Sequence, residues 1–291
     1  MNRRYPAYIL FGTFFLSILI LIFAIVQKSQ PAKIPIIQKI LMIPTSTPTP
    51  TPYIFRTYTA PTIEKKQVYK IVMIGDSMTA ALGPHGGGLS EYLNSLYKAN
   101  GPGEQGIIID NYAKSSNILA VNDELDQKTT ISEYTFEPLL STDFDLILVE
   151  SYGYNPLSQL GVEDGIKKQN MALDTLMTTL ITTHPHSAIV FVATIAPNIA
   201  NYARVTQPNN SAEERAKQAQ ERITYIKNHI EYAKNHNIPL INIYEKSLTP
   251  NGDGNMMYIN TNDDIHPSFE GVLFIGHQIG DFIYNNQILP H

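Results

Sequence analysis

Residues 68–79 read VYKIVMIGDSMT. A seven-residue run rich in β-branched and apolar side chains breaks abruptly into Gly-Asp-Ser. This is the pattern of a strand covered on both faces whose C-terminal end turns into a helix. In a doubly wound sheet such strand ends line the ligand crevice, so Ser77 falls where chemistry is usually done. Gly75 permits the tight turn, and a hydroxyl opening the next segment can point outward with backbone N–H groups beside it. Taken alone, the turn fits helix capping as well as catalysis.

Downstream the same rhythm repeats. Apolar runs at 106–110 (GIIID), 145–150 (DLILVE), 188–194 (AIVFVAT) and 239–243 (PLINI) predict four further strands. Helical spacing predicts helices over 89–99, 162–182, 211–236 and 268–285. The third of these opens on Ser211 with Glu214 three residues on, a capping box, and carries Ile223, Ile226 and Ile230 as its apolar stripe. Strands alternating with helices predict an α/β fold with a mainly parallel five-stranded sheet.

Upstream the composition changes. Residues 1–67 carry eight Lys and Arg against the single acid Glu64, whereas residues 68–291 carry 13 against 25 Asp and Glu. Residues 7–26, AYILFGTFFLSILILIFAIV, run without a charge for about the length that crosses ~30 Å of hydrocarbon. Arg3 and Arg4 before them place residues 1–6 in the cytoplasm and the rest outside. The run is longer than the apolar core of a cleaved signal peptide and no A-x-A-like site follows, so it reads as an uncleaved single-pass anchor, with secretion after cleavage as the alternative. Residues 27–67 include PTSTPTPTP and read as an extended extracytoplasmic linker, leaving 68–291 as the globular domain. The acidic domain repels phosphate backbones, which argues against nucleic acid as a partner. Cysteine is absent, which excludes disulfides, thiolate nucleophiles and lipid-modified cysteine.

The second chemical element is DDIHPS at 263–268, in a loop before the last predicted helix. A serine hydroxyl needs a base at neutral pH. His266 can take the Ser77 proton on one ring nitrogen while Asp263, three residues earlier in a tight turn, orients the other. His85 in the GPHGGG loop reads as a solvated or substrate-facing side chain. His184 and His186 form a poor ligand pair, and neither metal nor cofactor is expected. Tyr152 and Tyr154 suit core packing or stacking on a sugar.

GDSMT after the first strand, GYN at 153–155 after the third and DDIHPS before the final helix stand in the order of the SGNH/GDSL hydrolases, and residues 68–291 resemble that family. The resemblance implies a flavodoxin-like three-layer α/β/α sandwich and ester hydrolysis, often of acyl groups on lipids or carbohydrates. It implies Ser77 as nucleophile, His266 as general base, Asp263 as its acidic partner and Asn155 as the oxyanion-hole amide. In the second family block, NYAKSSN at 111–117, Ser116 occupies the usual glycine position, and its N–H would join that of Ser77 in the oxyanion hole. The expected protein is therefore a membrane-anchored extracytoplasmic esterase acting on a small-molecule, glycan or lipid ester, with cell-envelope O-acetyl groups as candidates. A surface acyltransferase using the same residues and an inactive tethered binding module are the alternatives.

Overall fold

The computed structural model describes residues 55–100 and 106–291. The anchor read at 7–26 and the linker up to residue 54 lie outside these residues. No helix among the described residues is long and apolar enough to cross a membrane.

In chain order the elements are β1 (Val68–Ile74), α1 (Ser77–Ala80), α2 (Gly87–Asn100), β2 (Gly106–Asn111), α3 (Ile118–Asn122), β3 (Thr129–Ile131), β4 (Tyr134–Phe136), β5 (Leu146–Glu150), α4 (Val162–Thr183), β6 (Ala188–Ala193), α5 (Ala212–Asn235), β7 (Leu240–Asn242), α6 (Ile243–Lys246) and α7 (Phe269–Asn285). Five strands form one sheet in the order β2-β1-β5-β6-β7, and every pairing in it is parallel. The sheet order is the flavodoxin-like one, with β3 and β4 set aside as a small antiparallel hairpin.

Side chains alternate across the strands and build a core on each face. Ile71 and Met73 of β1 point to the layer that holds Leu89, Leu93, Ile275, Ile279 and Ile283, under α2 and α7. Val72 and Ile74 point the other way, to Leu173, Leu176 and Leu180 of α4. Central strands β5 and β6 are buried throughout, so their sequences show continuous apolar runs rather than alternation. The capping box of α5 forms as read, with Ser211 and Glu214 satisfying each other's backbone N–H groups.

The linker boundary moves. Phe55, Tyr58 and Ile63 are buried. Tyr58 donates its N–H to His236 O at 2.8 Å and its hydroxyl accepts from Ile189 N at 2.8 Å, while Phe55 stacks on the His236 ring. The segment from residue 55 is therefore part of the domain rather than of a stalk. It follows a Pro- and Thr-rich stretch, but three apolar side chains at irregular spacing suffice to dock it.

The chain leaves β1 for β2 on one side and later reaches β5 on the other. The C-terminal ends of β1 and β5 thus flank the point where strand order reverses, the place where an open α/β sheet has its crevice. Ser77 follows one of these ends and Asn155 the other.

Candidate active site

Ser77 is the first residue of α1, and Asp76 caps that helix by accepting Met78 N at 2.9 Å. The cap holds the turn, leaving Ser77 partly exposed at the crevice while Asp76 and Met78 on either side of it are buried. Ser77 N makes no hydrogen bond among the described residues, as expected for the opening turn of a helix.

His266 arrives from the far end of the chain. Its Nε2 lies 3.0 Å from Ser77 Oγ, and its Nδ1 lies 2.8 Å from Asp263 Oδ2. The loop that brings it is built from local hydrogen bonds. Asp263 Oδ1 accepts Ile265 N at 2.8 Å and His266 N at 2.9 Å, and Asn260 N donates to His266 O at 2.7 Å. Ser268 then caps α7 and hydrogen-bonds Met257 O at 2.7 Å, so the loop is closed on both sides. Burial pushes the Asp263 carboxyl upward, but the hydrogen bonds from the His266 ring and from Ile265 and His266 N–H outweigh it, and the group stays below its ordinary value. Asp263 is thus an ionised acceptor that fixes the proton of His266 on Nδ1 and leaves Nε2 to face the serine.

The residue next to Asp263 has a role the sequence did not announce. Asp264 adopts φ 57°, its side chain is fully buried, and Arg204 Nε reaches its Oδ2 at 3.2 Å. Ala203 N also donates to Asp264 O at 3.2 Å. Arg204 and Ala203 thereby hold the histidine loop against the segment that follows β6. An Asp-Asp pair before a histidine was the available signal, since only one of the two can orient the ring.

Asn155 sits on the loop after β5, where its side-chain amide favours the ionised form of Asp76, the residue next to Ser77. Tyr154 N donates to Asp76 Oδ2 at 3.0 Å and reinforces that link. Gly153 is required here, because a Cβ would lie 2.3 Å from Ile226 Cγ1. Tyr152 and Tyr154 are 1% and 6% exposed, so both are core residues rather than a stacking platform. Asn155→Ala is expected to lower kcat on an acetate ester about 10²–10³-fold, the usual loss of one oxyanion donor, with little change in KM. Steady-state kinetics on p-nitrophenyl acetate check it.

Ser116 does not stand as expected. Its N–H donates to Lys114 O at 2.6 Å in a tight turn, which takes it away from an oxyanion. The side chain at a position the resemblance assigns to glycine goes with that turn. On the same loop Ser115 N makes no hydrogen bond among the described residues, and Asn117 is committed to capping α3. Asn111, unassigned by sequence reading, is buried and donates to Thr79 O and Gly83 O, both at 2.9 Å, clasping the end of β2 to the Ser77 helix. His85 packs edge-on against Tyr134 of the hairpin at 4.6 Å and is turned to Ile109 O, so it braces the hairpin.

No family model matches the chain, and no curated protein does. Solved structures do. The chain is similar to an acetyl xylan esterase at 14% identity and a TM-score of 0.50, over 72% of this chain and 97% of the other. It is similar to a gut microbial diltiazem-metabolizing enzyme at 16% identity and a TM-score of 0.50, over 77% of this chain and 48% of that longer one. A lipase/acylhydrolase from Enterococcus faecalis aligns at 18% identity and a TM-score of 0.48, over 75% of this chain and 96% of its own. The chain shares its fold with the acetyl xylan esterase and the diltiazem-metabolizing enzyme. Within that fold the strand ends after β1 and β5 and the loop before α7 carry Ser77, Asn155 and His266, the three motif positions read from the sequence.

Proposed function

We propose that this chain is a serine ester hydrolase of the SGNH/GDSL type, with Ser77 as nucleophile, His266 as general base and Asp263 as its orienting acid. The observation that carries the reading is the continuous relay from Asp263 Oδ2 through His266 to Ser77 Oγ, with contacts of 2.8 Å and 3.0 Å. Apo geometry of this kind is what general-base activation of a serine requires.

In the reaction, Ser77 Oγ attacks the ester carbonyl as its proton passes to His266 Nε2. The imidazolium is stabilised by the Asp263 carboxylate through Nδ1–H. The tetrahedral oxyanion accepts hydrogen bonds from Ser77 N–H and the Asn155 side-chain amide. Collapse breaks the bond to the alcohol, which leaves with the proton from His266, and acyl-Ser77 remains. Water then loses a proton to His266 Nε2 as it attacks the acyl carbon, and the second tetrahedral intermediate expels Ser77 Oγ, which takes that proton back from His266 as the acid is released.

The substrate class we favour is the O-acetyl groups of cell-envelope glycans. The His266 side chain is 39% exposed, so the reacting groups lie where an ester borne on a polymer can reach them. A fold shared with an acetyl xylan esterase fits the same choice, and the acidic domain suits a neutral glycan better than a polyanion. Residues 7–26 would anchor the enzyme with the catalytic domain outside, near such substrates.

The test uses the full chain in detergent, with p-nitrophenyl acetate, p-nitrophenyl palmitate and an O-acetylated polysaccharide. Turnover of the acetate ester and release of acetate from the polysaccharide are expected, with the palmitate ester slower. Absence of turnover together with failure of Ser77 to react with a fluorophosphonate would overturn the hydrolase reading. Preference for palmitate would overturn the choice of acetyl groups.

A further inference from the structure

Beneath the Ser77 turn lie two carboxyl groups that acyl transfer leaves unused. Asp76 and Glu150 are 0% and 2% exposed, and Glu150 Oε2 accepts the Asp76 backbone N–H at 3.1 Å, which sets the two carboxyls side by side. They stand at the ends of adjacent strands. Ile74 is in register with Val149, which sets Glu150 beside Gly75. A Cβ on Gly75 would lie 2.6 Å from Glu150 Cβ, so glycine is what lets the Glu150 side chain pass under the turn.

The two carboxyls gather the backbone of both catalytic loops. Glu150 Oε2 accepts Asp76 N at 3.1 Å and Tyr152 N at 3.2 Å, and the Ser151 hydroxyl donates to Oε1. Asp76 Oδ1 accepts Met78 N at 2.9 Å and Oδ2 accepts Tyr154 N at 3.0 Å. The turn of the nucleophile and the loop of the oxyanion amide are therefore joined through this pair.

The surroundings offer no counter-charge. Thr79 of α1, Ser151, Tyr152 and Tyr154 of the β5 loop and Tyr202 of the segment after β6 are neutral. His229 of α5, beside the Val149 backbone, is kept neutral because burial pushes its pKa down to about 3. Arg222 of α5 is turned to Glu221 at 3.0 Å and lies over the Tyr202 ring. On the crevice side, His266 is engaged by Asp263. Among the described residues no Lys or Arg forms an ion pair with either carboxyl. Two neighbouring buried carboxyls without a cation do not both ionise at neutral pH. Burial and then the Asp76 charge push Glu150 well above the ordinary carboxyl range, and burial raises Asp76 against the pull of its N–H donors.

Resting on the hydrolase reading above, we propose that Asp76 and Glu150 share one proton and act as a positioning pair. Protonated Glu150 gives ionised Asp76 the hydrogen bond that a cation would otherwise supply. Asp76 in turn accepts the Tyr154 N–H and so positions the loop that carries the Asn155 amide. When Glu150 loses its proton, two buried charges oppose each other and the Ser77 turn and Asn155 loop separate. A carboxyl raised in this way contributes stability that is fully present below its unfolded value and is lost as pH rises through its folded value, so activity and stability fall together on the alkaline side.

The test compares Glu150→Gln, Glu150→Ala and Asp76→Asn in the full chain. Glu150→Gln, which still donates to Asp76, is expected to lower kcat about three- to tenfold and to abolish the alkaline fall of kcat, whereas Glu150→Ala costs about 10²-fold. Asp76→Asn is expected to lower kcat about 10²-fold with KM within about threefold, because the Asn155 loop loses the carboxylate that anchors it through Tyr154 N–H. Difference infrared spectra at neutral pH should show a buried carboxylic-acid C=O band in the wild type that Glu150→Gln removes. Absence of that band in the wild type, its persistence in Glu150→Gln, or an unchanged alkaline limb would overturn the pair. If the wild type neither turned over esters nor took a fluorophosphonate, the hydrolase reading would fail, and the infrared band would still decide the protonation of the pair.

Discussion

Replacing Ser77 by alanine is expected to lower kcat for p-nitrophenyl acetate by about 10⁴–10⁶-fold, the range seen when a serine nucleophile is removed from a triad. KM should stay within about threefold, because the hydroxyl contributes to the transition state rather than to uniform binding. The scale of the loss follows from what else remains. His266 keeps its hydrogen bonds to Asp263, and the Asn155 loop stays anchored on Asp76 through Tyr154 N–H, so residual rate comes from water attacking an ester held against the oxyanion donors. The fold is expected to tolerate the change, since the methyl group of alanine fits the partly exposed site and the helix is capped by Asp76 rather than by Ser77. Thermal unfolding within about 1 kcal/mol of wild type would confirm that only chemistry was lost. Retention of more than a hundredth of the wild-type rate would mean that another group attacks the ester, and the Ser77 mechanism would have to be abandoned.

The features legible beforehand are those written in short local patterns. β1 was bounded correctly, because its apolar run ends sharply at Gly75. The other four sheet strands were placed within a residue or so, and the parallel order followed from their alternation with helices. Ser77 and His266 stand out in the sequence because each sits at an element end with a distinctive neighbour, and Asp263 because a carboxylate three residues before a histidine can close an Asx-type turn onto it; the structure brings the three side chains together. What escaped was long-range and polar. Glu150 reads as the last residue of a buried strand, and only its register with Gly75 reveals that it meets Asp76. Asn111 ends β2 in the same way, with donors that reach Thr79 and Gly83, residues about thirty positions away. In both cases the signal was a polar residue terminating an otherwise apolar run, which a buried strand end does not carry without partners. Ser116 failed for the opposite reason. Its identity was compared with a family position, while the direction of its N–H depends on the turn made with Lys114. Phe55 and Tyr58 were hidden by their Pro- and Thr-rich surroundings, because composition averages over the few side chains that dock.

The second large effect concerns Asp263. Asp263→Asn is expected to lower kcat about 10³–10⁴-fold at neutral pH, comparable with the loss of the orienting acid in other triads. The backbone decides how the substituted amide must lie. Oδ1 of Asp263 accepts both Ile265 N and His266 N, so the asparagine oxygen has to take that position to satisfy the two donors. The NH2 group then occupies the position of Oδ2 and presents a donor to His266 Nδ1. His266 Nδ1 becomes the acceptor, its proton moves to Nε2, and the nitrogen facing Ser77 Oγ can no longer take a proton. The loop itself stays folded, so KM and the unfolding midpoint should change little while kcat collapses. Asp263→Glu makes the complementary case. It keeps the charge but adds a methylene to a turn only three residues long, and it should recover less than a tenth of the activity. Linkage gives the sign of the pH effect on stability. A carboxyl held below its ordinary value contributes stability above its unfolded pKa and loses it as pH falls through its folded pKa. The difference in unfolding free energy between wild type and Asp263→Asn should therefore shrink in acid, below about pH 4, where an unfolded aspartate takes up its proton. Ring-nitrogen NMR shifts of His266 provide the direct readout, with protonation moving from Nδ1 in the wild type to Nε2 in Asp263→Asn. An unchanged tautomer together with near-normal kcat would show that Asp263 only shapes the loop and that His266 acts without it.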